Sequence, residues 1–292
     1  MHHTDEGTES NGLGLRMRFE QMHQSNFLDG KDSSIARLHQ WLNECLNNHD
    51  ECKISSSAQN DNNRPTRLFD LTSIRRGNED GIKLIETKPG SAYKYACLSH
   101  RWDVAVNQHQ TTIGTTGNLS KRLEFISLQD LPTNFRDAVS IARGVDLEFL
   151  WIDSLCIIQD GDDHEDLGRE LVKMGSIYRN AQLTIAAVCS PDSSQGCFGK
   201  DIKSDIRFRI SQNAQGEFLI GARVLEKICR PDSMDIIKEL HPLLTRAWVF
   251  QERMLSPRVL LCNYGEFAFE CLGFSVCECA STIAPHFKPA YK

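Results

Sequence analysis

The chain has 292 residues, 40% of them hydrophobic and 25% charged, which allows a substantial buried core and argues against a disordered chain. A formal charge of −6 gives no broad attraction for a phosphate backbone, so nucleic acid is not expected as a partner. The longest clearly apolar stretch, residues 183–189, is far too short to cross a bilayer, so no membrane span is expected.

Residues 1–34 read as a polar, flexible tail with at most a short helix around 17–22. The opening MHHTDEGTESNG lacks the basic start and apolar core of a signal peptide, which implies a cytoplasmic protein with reduced thiols. The eleven cysteines include Cys97, Cys156, Cys189 and Cys262 in apolar segments, and most are read as small buried hydrophobes. Residues 35–66 form a second unit. Ile35, Leu38, Trp41, Leu42, Cys45 and Leu46 recur at helical spacing behind a capping serine, and a polar linker at 55–65 follows.

From residue 67 the runs LFDLTSI and GIKLIE suggest a hairpin. Buried-strand candidates at 95–99, 148–152 and 183–188 then alternate with helical patterns at 132–143 and 165–181, as in βαβ units. The expected fold class is α/β: a mostly parallel central sheet flanked by helices, with an N-terminal helical leader. A helix at 243–255 and the runs VLLCN and FAFEC complete it as a C-terminal antiparallel addition.

Three groups of residues carry candidate chemistry. In the helix at 165–181, Leu167, Leu171, Met174, Ile177, Tyr178 and Ala181 share one arc, and Glu170 alone among the charged residues falls inside it. An inward carboxylate is paired, neutralised by a raised pKa, or placed to meet a ligand. Asp153 follows the strand FLWI, and Ser99, Arg101 and Trp102 follow the first strand, where open α/β sheets bind ligands. Cys45, His49 and Cys52 stand at i, i+4 and i+7 and are zinc-compatible types, with Cys277 and Cys279 as possible completions. Because no paired CxxC units accompany them, they are read as a partly buried helix face, and no metal is assigned. The absence of G-x-S-x-G and G-x-x-x-x-G-K-[ST] weakens serine-hydrolase and P-loop readings.

Three blocks, YACLSHRWD at 95–103, LPTNFRDAVSIARGVDLEFLWIDSLCIIQD onward at 131–187, and LLTRAWVFQERMLSPRVLLC at 243–262, together resemble the heterokaryon-incompatibility (HET) domain of filamentous fungi. His100 and Asp103 depart from the family's first block, which more often reads Leu-Ser-Tyr-x-Trp-Gly. The resemblance implies a HET domain over 67–275, a C-terminal extension over 276–292, and a role in non-self recognition leading to cell death. It also implies Trp151, Cys156, Tyr178, Arg246, Trp248, Gln251 and Glu252 as motif residues that organise the structure. The block at 95–103 is similar, more distantly, to the opening strand and loop of Toll/interleukin-receptor (TIR) domains, whose sheet is flavodoxin-like. That similarity implies NAD as a candidate substrate with no cofactor required, Glu170 as catalytic carboxylate, and Ser99, Arg101, Trp102 and Asp153 as substrate-binding residues. The competing implication is a non-catalytic module acting by self-association or through another incompatibility protein.

Overall fold

The computed structural model describes residues 31–53, 63–102, 112–161, 164–198, 206–213, 216–222, 241–263 and 266–278. The short helix expected near 17–22, nearly all of the linker, Asp103 and Cys279 lie outside the described residues. In chain order the elements are α1 (Lys31–Asn48), β1 (Arg67–Arg76), β2 (Glu79–Glu86), β3 (Tyr95–Ser99), α2 (Thr116–Glu124), β4 (Ile126–Ser127), α3 (Thr133–Gly144) and β5 (Phe149–Ile152). They continue with α4 (Asp153–Cys156), α5 (Glu165–Asn180), β6 (Leu183–Ala186), β7 (Ile206–Asn213), β8 (Gly216–Ala222), α6 (Ala247–Leu255), β9 (Arg258–Asn263), β10 (Glu266–Cys271) and β11 (Ser275–Cys277).

Nine strands share one sheet in the order β11-β10-β9-β6-β3-β5-β1-β2-β4, while β7 and β8 pair by themselves. The expectation of a mostly parallel sheet needs correction. Only the β3–β5, β3–β6 and β6–β9 pairings are parallel. The other five are antiparallel, because the hairpin β1–β2 docks on β5 and the β9–β10–β11 meander closes the opposite edge. The sheet is therefore mixed, with a parallel centre and antiparallel wings.

The four central strands, numbered by their own order in the chain, run 2-1-3-4 across the sheet, the arrangement of a doubly wound α/β unit. Their sequences explain why they are central. All five residues of β3 and all four of β6 are buried, as strands covered on both faces require. Alternation divides their side chains between two layers. Cys97 and Trp151 lie side by side in register, with Cys97 Sγ 4.0 Å from the Ile177 carbonyl of α5 and Trp151 edge-on to Tyr178 at 5.6 Å between ring centroids. Ala96, Leu98, Leu150 and Ile152 point to the other layer, where the buried Phe135, Ala138 and Ala142 of α3 lie.

The stripe that α5 buries is close to the expected arc but rotated. Glu170, Ile177 and Tyr178 are buried and Met174 is half-buried, whereas Leu171, about 100° around from Glu170, is 52% exposed at the rim. The leader helix α1 sits against the C-terminal wing and α3: Leu38, Leu42 and Cys45 are buried in the common core, and Lys31 reaches Asp137 at 3.1 Å. Among the described residues eight cysteines are free and buried, as the sequence suggested. Cys277 departs from that expectation, being disulfide-bonded. Among the described residues no helix is long and apolar enough to cross a membrane.

Candidate functional site

In a doubly wound arrangement the strand order reverses next to the first central strand, and ligands bind outside the carboxyl ends of the strands at that point. Here the reversal falls at β3, whose last residue is Ser99. Ser99 is two residues beyond Cys97 and so shares its face, the one covered by α5 and α6. Its hydroxyl donates a short hydrogen bond to the Glu252 carboxylate, carried by α6. Asp153, two residues beyond Trp151 on the neighbouring strand, arrives on the same side. Its Oδ2 accepts from Trp102 Nε1 at 3.0 Å and its Oδ1 from the Ser154 amide at 2.7 Å.

His100 completes the edge from the other layer. Nδ1 lies 3.6 Å from Asp153 Oδ1, Nε2 lies 3.5 Å from Ser154 Oγ, and the ring stands edge-on to Phe135 at 4.9 Å between centroids. Arg246 donates to the His100 carbonyl at 2.8 Å, which fixes a guanidinium beside both carboxylates. Ser99, His100, Ser154 and Tyr178 are all buried, so the group is a largely desolvated polar cluster built from β3, α4, α5 and α6.

Desolvation decides the protonation of this cluster. Burial pushes the Glu252 carboxyl up to about 7, helped by the nearby Asp153 charge, while hydrogen bonds from Ser99 and Tyr178 and the Arg246 charge oppose the rise. Burial likewise raises Asp153 to about 6, against the Ser154 amide, the Trp102 indole and Arg246. Two carboxyls that desolvation brings to titrate near neutral pH are groups of the kind that can give and take protons there. Burial also lifts the Tyr178 phenol well above its usual range, so it remains a donor toward Glu252.

Glu170 occupies a different place. It is fully buried, but its carboxylate accepts from the Thr66 amide at 3.1 Å, the Thr66 hydroxyl at 2.5 Å and Lys173 Nζ at 2.9 Å. It shares no hydrogen bond or ion pair with Ser99, Asp153 or Glu252, and the convergence of all four expected residues is not what the structure has. Arg101 is half-buried and makes no ion pair with the carboxylates among the described residues. Ser99, Trp102 and Asp153 do come together, as expected. Of the motif residues, Trp151 and Cys156 are core, with burial holding the Cys156 thiol up at about 12. Trp248 is 65% exposed and Gln251 is exposed, so both face outward.

Glu252 and Tyr178 enter the cluster although the sequence reading gave them chiefly an organising role, with a catalytic Glu252 as the lesser alternative. Tyr178 carried a signal, since it lies on the same inward arc as Glu170. Glu252 carried none, because its approach to Ser99 depends on β9 lying beside β6. Elsewhere, Cys45, His49, Cys52 and Cys271 bring their ligand atoms within 4.8 Å of one another, so the fourth group near the leader cysteines is Cys271 and not Cys277.

Fold and cluster define an α/β protein with a half-buried carboxylate pair at the switch point of its central sheet. The family described as Heterokaryon incompatibility protein (HET) matches residues 95–252, more than half of the chain, and the chain belongs to that family. No curated protein and no solved structure matches it.

Proposed function

We propose that this chain acts in heterokaryon incompatibility as a death-triggering domain, and that its switch-point cluster does so by hydrolysing the nicotinamide–ribose bond of NAD. The observation that supports a hydrolytic reading is the Asp153–Glu252 pair beside Ser99, Tyr178 and Arg246, with both carboxyls titrating near neutrality. In the proposed reaction the C–N bond breaks with its electron pair leaving on the nicotinamide nitrogen. Water adds to the resulting oxocarbenium-like carbon, and a carboxylate of the pair takes the proton that water releases. The products are nicotinamide, ADP-ribose and a proton.

In this reading a desolvated carboxylate stabilises the positive ribose, Ser99 orients a sugar hydroxyl, and Trp102 offers a ring for stacking. In this proposal the reacting carboxylates are Glu252 and Asp153. Glu170, whose oxygens Thr66 and Lys173 already engage, acts as a structural tie.

The test is nicotinamide release from NAD by the purified full chain at high concentration, with Glu252→Gln, Asp153→Asn and Glu170→Gln in parallel. Loss in the first two with retention in the third supports this assignment. Retained toxicity in cells with no NAD consumption by any form overturns it.

A second reading, death signalling by self-association without catalysis, is favoured by one observation. Leu171 and Val172 on α5 and Trp248 and Phe250 on α6 are exposed large apolar residues on two adjacent helices. A second copy of the chain is the occupant this reading names. Trp248→Ala with Phe250→Ala would then abolish both oligomerisation and toxicity while leaving the thermal midpoint unchanged.

A further inference from the structure

We propose that Cys45, His49, Cys52 and Cys271 form a closed Zn²⁺ site that fastens the leader helix to the C-terminal wing of the sheet. The four ligand atoms lie within 4.8 Å of one another, and all but the half-buried His49 are buried residues. Zinc at ordinary bond lengths makes a tetrahedron whose sulfur–nitrogen edge is about 3.6 Å and whose sulfur–sulfur edge is about 3.8 Å. Cys271 Sγ stands 3.4 Å from His49 Nδ1, close to the first of these.

The backbone around the cluster is arranged as thiolate sites require. Cys271 ends β10 and opens the tight turn into β11, in which the Cys271 amide donates to the Phe274 carbonyl at 2.9 Å. The Phe274 amide turns back onto Cys271 Sγ at 3.3 Å, and the amides of Leu272 and Gly273 point at Cys52. A side chain at residue 273 would collide with the histidine: a Cβ there would fall 2.7 Å from His49 Nδ1. Glycine at this position lets the turn approach the imidazole.

Charge supplies the independent argument. Arg258 is 1% exposed, and its guanidinium meets Cys45 Sγ at 3.2 Å, the Cys52 carbonyl at 2.7 Å and the Gln182 carbonyl at 3.3 Å. Among the described residues no carboxylate pairs with it. A buried cation calls for a counter-charge. Three thiolates and a neutral imidazole on Zn²⁺ carry a net charge of −1, which balances one guanidinium. Four neutral protein ligands before deprotonation, all close to one point and leaving no fifth position, make the site structural rather than catalytic. Binding releases the thiol protons, and the ion joins an element at the start of the chain to one more than 200 residues later.

The test uses the full chain purified without metal-chelating resin. Elemental analysis should find one zinc per chain, and Co²⁺ exchange should give the intense thiolate-to-metal and d–d bands of a tetrahedral Cys₃His site. Cys271→Ser should lose or greatly weaken metal binding, whereas Cys262→Ser should retain it. Should Cys271→Ser fail to fold, the wild type decides: Cys45, Cys52 and Cys271 should resist alkylation until a chelator is added, and the chelator should lower the thermal midpoint. A folded wild type without stoichiometric zinc or the cobalt bands, a disulfide within the four, or full zinc retention in folded Cys271→Ser overturns the proposal.

Discussion

Replacing Glu252 by glutamine tests whether the switch-point cluster is a desolvated acid. The Glu252 carboxyl is carried from an ordinary 4.5 to about 7, so the native state holds its proton more tightly than the unfolded chain does. Linkage then fixes the sign. Between about pH 4.5 and 7 the native state binds more protons, so wild-type stability falls as pH rises through that window and stays low above it. At about 1.4 kcal/mol per pH unit the penalty at pH 8 is at most about 3 kcal/mol. Because Glu252 is only half-buried, screening reduces this to about 2 kcal/mol. Glutamine keeps the shape and can still accept from Ser99, yet carries no charge at any pH. Urea unfolding at pH 5, 6.5 and 8 should therefore show Glu252→Gln near wild type at pH 5 and about 2 kcal/mol more stable at pH 8. The residual slope below pH 6 would belong to Asp153, which rises from 3.8 to about 6. A glutamine variant that is destabilised by the same amount at all three pH values would refute the reasoning, because it would mean that Glu252 is ionised and well solvated in the native state.

The remaining predictions concern the surrounding structure. Tyr178→Phe removes a donor that favours ionised Glu252, so the Glu252 carboxyl should titrate above about 7; an unchanged or lower value in a carboxyl NMR titration would show that the phenol does not act on it. Leu150→Asp places a charge at a fully buried position between β1 and β3 and should cost on the order of 3 kcal/mol or more in a denaturation series. A cost below about 1 kcal/mol would mean that the strand is not central. Glu170→Ala strips Lys173 and the Thr66 amide of their shared acceptor, and breaking such a buried pair should cost about 3 kcal/mol in a urea series. Loss of activity at unchanged stability in that variant would restore Glu170 to a catalytic role.

The parts of the fold that were legible are those in which local pattern and tertiary environment agree. The run Tyr95 to Ser99 is apolar or small throughout and is a strand buried on every residue, and the α5 periodicity located its helix to within a residue. Strand direction was not legible. A short run such as LFDLTSI has the same composition whether its neighbour runs with it or against it, and β1 reaches β5 only through pairing across some 80 positions of chain. Glu170 shows the same limit at the level of one residue. Its isolation on an apolar arc correctly marked it as buried, but its partner Thr66 lies 104 positions away and could not be read from the helix. Lys173 was within reach of the pattern, being one turn further on, and its long side chain can fold back to a carboxylate that its own Cα does not face.

The matched segment begins at Tyr95, the first residue of β3, and ends at Glu252, the carboxylate bonded to the last residue of that strand. Within those bounds fall β3, β5, β6, α5 and most of α6, which with their flanking residues deliver Ser99, His100, Asp153, Tyr178, Arg246 and Glu252 to one edge. Outside them fall the hairpin β1–β2, the central strand β9 and the antiparallel β10–β11, none of which supplies a residue to the cluster. A bond between Ser99 and Glu252 spans 153 positions, so it cannot form until the intervening strands have found their order. The cluster thus reports completion of the central sheet: any change that displaces β6 or α6 separates the acid from its serine. That separation exposes Glu252 to water and returns its carboxyl toward 4.5, which makes its titration a measure of whether the site is assembled.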